Sequence, residues 1–238
     1  MTAAKKTKEV AIPDVADLPD LVPTPSVFDE IGSDDVALAR LKIGQDMSPP
    51  VQTRTAEYGD IYSVMSKDDT DPVVGWAFGD EGANGTSKNK DAGLVFHVID
   101  MYRGKAVENS EGGLELFDYS DSNAPPEAWV TYNYFVCAPT LDDFLPLKWV
   151  LWKTGRQVAQ QINTILKKNQ ARGPAYLVAF ELTSKKVSND KGRYCVPQLR
   201  HVEPTEANVK VASAMAELLS GRPDIRAANS VATDEPGI

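Results

Sequence analysis

The chain has 238 residues, with 34 acidic and 25 basic side chains, a formal charge of −9 and 42% hydrophobic residues. That is enough apolar content for one large packed domain or two small ones. No apolar run approaches the ~20 residues of a membrane span, and two cysteines, Cys137 and Cys195, exclude a disulfide-built scaffold and fit a reducing, cytoplasmic setting.

In chain order, residues 1–33 scatter Pro13, Pro19, Pro23 and Pro25 among short apolar spots, which no helical period survives. They read as a flexible arm, and residues 1–11 lack the apolar stretch of a signal peptide. A core is expected over residues 34–202. Ala37 to Ile43 alternates apolar and basic residues as a strand does, with a turn at Asp46 to Pro50. Asp60 to Met65 and Val73 to Phe78 are short β-rich runs, residues 80–93 a polar Gly-rich loop, Leu94 to Arg103 a strand, and Glu108 to Gly113 a turn. Trp129 to Cys137 is the most aromatic strand. Trp129, Thr131, Asn133 and Phe135 share one face, and Val130, Tyr132, Tyr134 and Val136 the other. In Leu147 to Lys153, Leu147, Trp149 and Leu151 face inward, leaving Lys148, Val150 and Trp152 outward.

The period then changes. Val158, Ile162, Ile165 and Leu166 form one helix face, and Thr154 with Gln157 makes a capping box at its start. Tyr176 to Leu182 and Arg193 to Val202 are strands joined by a polar loop with an Asp-Lys-Gly turn. Thr205 caps a last helix, residues 203–220, with Val209, Ala212, Ala216 and Leu219 on its apolar side, and residues 221–238 read as a tail. The class is mostly β with two helices, an α+β chain. The segment from Leu94 to Val202 can be threaded onto a five-stranded OB barrel, which has its helix between strands three and four and ends in a hairpin. Extra strands would precede that barrel and a helix follow it.

Charge is segregated along the chain: −15 over residues 1–147, +9 over 148–200 and −3 over 201–238. Such a pattern fits a basic binding surface on an acidic protein, or a basic stretch paired internally. The basic region is also aromatic. Trp129, Tyr132, Tyr134, Trp149 and Trp152 lie near Lys148, Lys153 and Arg156, a mixture that suits single-stranded nucleic acid, because bases stack on ring faces while cations follow phosphates. Aromatics in strands equally serve as core. The hairpin adds Lys185, Lys186, Lys191, Arg193, Arg200 and Tyr194, which would contact DNA or simply solvate the turn.

Other motifs carry little. Residues 79–87 lack the lysine of a phosphate loop. Asp68, Asp69, Asp71, Asp80 and Glu81 match no EF-hand spacing and read as a solvated loop. Cys137, Cys195, His97 and His201 have no close zinc-ligand spacing. No nucleophile–base set is legible, so neither catalysis, metal nor cofactor is expected.

Arg40-Leu41-Lys42-Ile43-Gly44-Gln45, Ser48-Pro49 and Tyr58-Gly59-Asp60-Ile61-Tyr62 resemble the opening of a family of tailed-bacteriophage single-stranded DNA-binding proteins. Pro146-Leu147, Thr154, Ala175-Tyr176, Phe180-Glu181-Leu182 and Gly192-Arg193-Tyr194 extend the similarity over residues 36 to 219. The resemblance implies an OB-like core that coats single-stranded DNA in phage replication or recombination. Phage or host replication proteins and a second copy of the chain would be further partners. The alternative is a protein–protein factor, an inhibitor or DNA mimic that uses the acidic surface.

Overall fold

The computed structural model describes residues 38–65, 69–76, 93–108, 114–189 and 192–221, so the expected arm, the 80–92 loop and the tail beyond Gly221 lie outside the described residues. The fold is mostly β, with α-helices added. Its strands are β1 (Arg40–Ile43), β2 (Ile61–Val64), β3 (Val73–Trp76), β4 (Leu94–Glu108), β5 (Leu114–Asp118), β6 (Trp129–Ala138), β7 (Asp142–Leu151), β8 (Ala179–Asn189) and β9 (Gly192–Val202). The helices are α1 (Pro49–Gln52), α2 (Arg156–Asn169) and α3 (Glu206–Gly221). Among the described residues all nine strands belong to one sheet, in the order β3-β2-β1-β7-β6-β4-β8-β9, with β5 against β4. The sequence pattern predicts neither β5 nor α1, and β4 runs on to Glu108 instead of ending at Arg103.

β4 organises the sheet. One edge pairs with β6 from His97 to Ala106. The other pairs with β8 over Leu94 to His97 and with β5 over Gly104 to Glu108. β4, β6 and β7 are antiparallel neighbours, and β8 returns through α2 to lie on the far side of β4, which is Greek-key order. β9 adds a hairpin strand to β8. In place of a direct β7–β9 pairing, β1 lies parallel to β7, with Arg40 opposite Lys148. The sheet curls until β9 meets the chain just past β1. There the Gln45 amide acts as a substitute peptide unit: its Nε2 donates to the Cys195 carbonyl at 3.0 Å, and the Cys195 amide donates to its Oε1 at 2.7 Å. The Ser184 hydroxyl donates to the Gly59 carbonyl nearby.

The alternation of each strand decides what fills the curl. Leu94, Phe96, Val98, Tyr134, Val136, Leu147, Trp149, Phe180 and Leu182 form the inner core. The Phe96 ring lies 5.4 Å from Phe180, stacked, and 5.5 Å edge-on from Trp149. α2 closes one mouth of the curl with Val158, Ala159 and Ile162, the helix face expected from the period. Its start differs from expectation. A 3-10 turn, Lys153–Gly155, comes first, Gly155 is the N-cap, and no side chain caps the helix, so the Thr154–Gln157 box does not form. The chain must turn sharply from β7 over the mouth, and Gly155 packs there against Leu151, where an added Cβ would come within 3.0 Å.

α3 begins as expected, with the Asn208 amide donating to Thr205 Oγ1 at 3.3 Å. It covers the outer face of the sheet: Ala212 and Met215 pack with Cys137, and Leu219 with Phe135 and Leu38. Met215 is deeply buried there, while Ala216 is only partly so.

Candidate nucleic-acid interface

The Trp129–Trp152 pair stands at one end of the sheet, where β6 begins and β7 has just ended. The two rings lie 5.6 Å apart at 53°, both half-buried. Lys153 spans them, its ammonium 4.0 Å from the Trp129 ring centre and 4.5 Å from that of Trp152. Lys153 holds φ at 43°, a left-handed conformation that non-glycine residues adopt rarely. Each cation–ring contact at such a site is worth about 0.5–1 kcal/mol. Arg156 follows, exposed in the first turn of α2, where there is no acid. Cations at a helix N-terminus oppose the helix dipole, so Lys153 and Arg156 do not serve α2's own stability. Together they concentrate positive potential beside the paired indoles.

The hairpin residues divide between two faces. In the β8–β9 register Lys186 is opposite Cys195 and Ser188 opposite Arg193, so Lys186 and Arg193 share the inner face. They converge on Tyr58, whose ring centre is 5.0 Å from the Lys186 ammonium and 6.0 Å from the Arg193 guanidinium. Arg193 also pairs with Asp46 at 3.5 Å. Burial is the largest cause that pushes the Tyr58 hydroxyl up to about 12, so the ring stays neutral, and among the described residues that hydroxyl has no hydrogen-bond partner. Lys185 and Tyr194 lie on the opposite face. Lys191 lies outside the described residues. Arg200 is engaged with Glu181, Nε to carboxylate at 2.8 Å. Burial alone would raise that carboxyl, but the Gly93 amide and Arg200 outweigh it and hold it low.

Two expected contacts are corrected. Lys148 is 3% exposed. Alternation turns it to the outer face as expected, but that stretch of face is not open: Lys148 stands opposite both Phe135 and Arg40 in register, and Phe135 is covered by Leu38 and Leu219. It cannot meet a phosphate as an exposed cation. Tyr134 is fully buried, its hydroxyl 3.0 Å from Asn163 Oδ1 and 3.2 Å from the Ala159 carbonyl, which ties β6 to α2. Burial raises its ionisation far above neutrality. Tyr132 is intermediate in role, nearly buried but with its ring beneath the Arg103 guanidinium at 5.7 Å. Trp149 and Trp152 fall as expected, inward and outward.

A second cluster is not marked by the sequence pattern. Arg103 lies between two rings, 5.6 Å from Tyr119 and 5.7 Å from Tyr132, and Lys105 lies 5.8 Å from Tyr119. A signal for it exists: Met101, Arg103 and Lys105 continue the inner face of β4 beyond the core. Tyr58 stands in the sequence only within the Tyr58–Tyr62 motif, and nothing there marks it as the ring that Lys186 and Arg193 meet. The acidic loop reading also changes at Asp69, which is buried and bonded to Arg40 at 3.0 Å and Lys42 at 2.8 Å.

Fold and site together define an α+β protein with a curled sheet and aromatic–cation clusters at its strand ends. The chain belongs to the Pam3 phage gp34-like protein family, whose model matches residues 7–222, and is therefore a phage protein. No curated protein and no solved structure matches it. No helix among the described residues is long and apolar enough to cross a membrane.

Proposed function

We propose that this chain is a non-catalytic, largely sequence-independent single-stranded DNA-binding protein with an OB-like core, acting in phage DNA replication or recombination. The observation that carries this reading is the Trp129–Lys153–Trp152 cluster beside Arg156. Paired indoles offer ring surface to bases, and adjacent cations offer charge to phosphates.

The topology supports it. Taking β4, β6, β7, β8 and β9 as strands one to five, the helix falls between the third and fourth and a hairpin ends the unit. OB-folds bind oligonucleotides on the face of strands two and three and at the loop between four and five. Trp129 and Trp152 belong to that face, and Lys186 and Arg193 lie near that loop. Net acidity elsewhere is compatible, because binding follows the local field.

The test is a binding titration of variants whose thermal melts match the parent. Trp129→Ala and Trp152→Ala should each weaken single-strand binding by ~1–3 kcal/mol with little change in salt slope. Lys186→Ala with Arg193→Ala should flatten the slope of log K against log salt by about 0.7 for each phosphate no longer neutralised. Parent-like affinity in both tryptophan variants, with an unchanged slope in the double variant, would remove this surface from the account.

A further inference from the structure

A groove of about 1110 Å³ opens between the inner face of β4 and β6, the second half of α2 and the connection to β8. Arg103 and Tyr132 line its sheet side, and Asn163, Lys167 and Lys168 its helix side. Among the described residues, Arg103, Lys167 and Lys168 pair with no carboxylate. Among the described residues, Lys167 bonds the Gln170 amide oxygen, at 2.8 Å.

Arg103 is the telling group. Its guanidinium rests between the Tyr119 and Tyr132 rings, and its side chain makes no hydrogen bond among the described residues. Packing against ring faces limits where a guanidinium can sit while leaving its N–H donors unspent. A fork already held in place binds an oxyanion bidentately with less ordering cost than a free side chain. Tyr119 is 46% exposed, a ring beside Arg103 that the core does not claim.

Position in the sheet says what the anion belongs to. Arg103 is opposite Tyr132, and Ala106 is opposite Trp129. The Arg103 groove and the Trp129–Trp152 cluster are thus on opposite faces of the same end of the sheet, within a few residues along β4 and β6. We infer that the groove is a second binding segment for the same single strand: its phosphates meet Arg103, Lys167 and Lys168, and the strand passes around the sheet end from the paired indoles. The inference rests on the proposed DNA-binding function and deepens it by giving the strand a path.

The experiment titrates a labelled oligonucleotide against the parent chain, Arg103→Ala, Lys167→Gln with Lys168→Gln, and Lys210→Gln. The last removes an exposed cation on α3 as a control. Arg103→Ala should bind about tenfold more weakly, and Arg103→Lys, which keeps the charge but not the fork, should recover only part of that affinity. The Lys167/Lys168 double variant should flatten the salt slope by about 0.7 for each phosphate set free, up to about 1.4. Lys210→Gln should match the parent. All these side chains are exposed, so the fold should persist, and melting curves check it. If the parent binds tightly while Arg103→Ala and the double variant match it in affinity and slope, the groove is not on the path and the indole surface stands alone. A weakening equalled by Lys210→Gln overturns the groove in favour of a diffuse charge effect. If the parent binds no single strand at low salt, the groove and the proposed function fall together.

Discussion

Asp69 shows how much one side chain can carry. It is buried on the outer side of β1 and accepts from both Arg40 and Lys42. Removing it would leave two cations in a place water barely reaches, and breaking such a buried set costs about 3–5 kcal/mol. Urea unfolding of Asp69→Ala should therefore show a destabilisation of that order, and one below about 1 kcal/mol would mean that water already solvates the cations. His97 makes a different kind of statement. It is fully buried, its Nδ1 lies 2.7 Å from the Tyr176 carbonyl, and its Nε2 has no partner among the described residues. Burial lowers its affinity for a proton, and the Tyr176 bond only partly offsets that. Below its ordinary value of 6.5 the unfolded chain binds the proton that the folded chain refuses, so stability falls as pH drops through that region. Melting temperature should decline from about pH 7 toward about pH 5.5 in the parent and decline less in His97→Gln. An equal decline in both would assign the effect elsewhere. Glu181, held low by Gly93 and Arg200, gives up its contribution only below its ordinary value of 4.5, a separate window.

Among the elements, the closure of the curl between β1 and β9 is the most exposed to a single change. Gln45→Ala deletes both bonds to the Cys195 backbone and leaves an amide and a carbonyl to find water. A destabilisation of about 1–3 kcal/mol should follow, with faster hydrogen exchange at the Cys195 amide; unchanged exchange there would mean that the seam is held by other interactions. Much of this architecture is legible in the sequence, because alternation and period are local. The faces of β6 and β7, the Val158–Ile162 face of α2 and the β8–β9 hairpin all follow from residues a few positions apart. What is not legible depends on distant neighbours. Lys148 lies on the expected face, but only the packing of α3 and Leu38 over Phe135 decides that the face is covered there. Tyr134 reads as a stacking ring until α2 folds onto it. The hairpin's cations can be counted but not sorted, since the split of Lys186 and Arg193 from Lys185 and Tyr194 needs the register. Arg103 escapes notice because the strand pattern of β4 fades at that residue, just where its inner face turns from apolar to basic.

At the scale of the whole molecule, the charge segregation acquires a location. The basic stretch of residues 148–200 contributes Lys153, Arg156, Lys167 and Lys168 around the start and end of α2 and Lys186 on the hairpin, while Arg103 and Lys105 join them from the acidic half. The aromatic–cation clusters gather at strand ends and hairpin, leaving the middle of the sheet to the core and to α3. A phage protein built this way should hold a flexible strand whose bases are free to stack and should refuse a duplex whose bases are not. The most direct measurement is a titration of a labelled ~30-nucleotide single strand and its matching duplex, each at low and high salt, with tryptophan fluorescence followed alongside. The account predicts tight, salt-sensitive binding of the single strand with quenching of the Trp129–Trp152 pair, and far weaker binding of the duplex. Equal affinity for both, or no binding of the single strand at low salt, would contradict it.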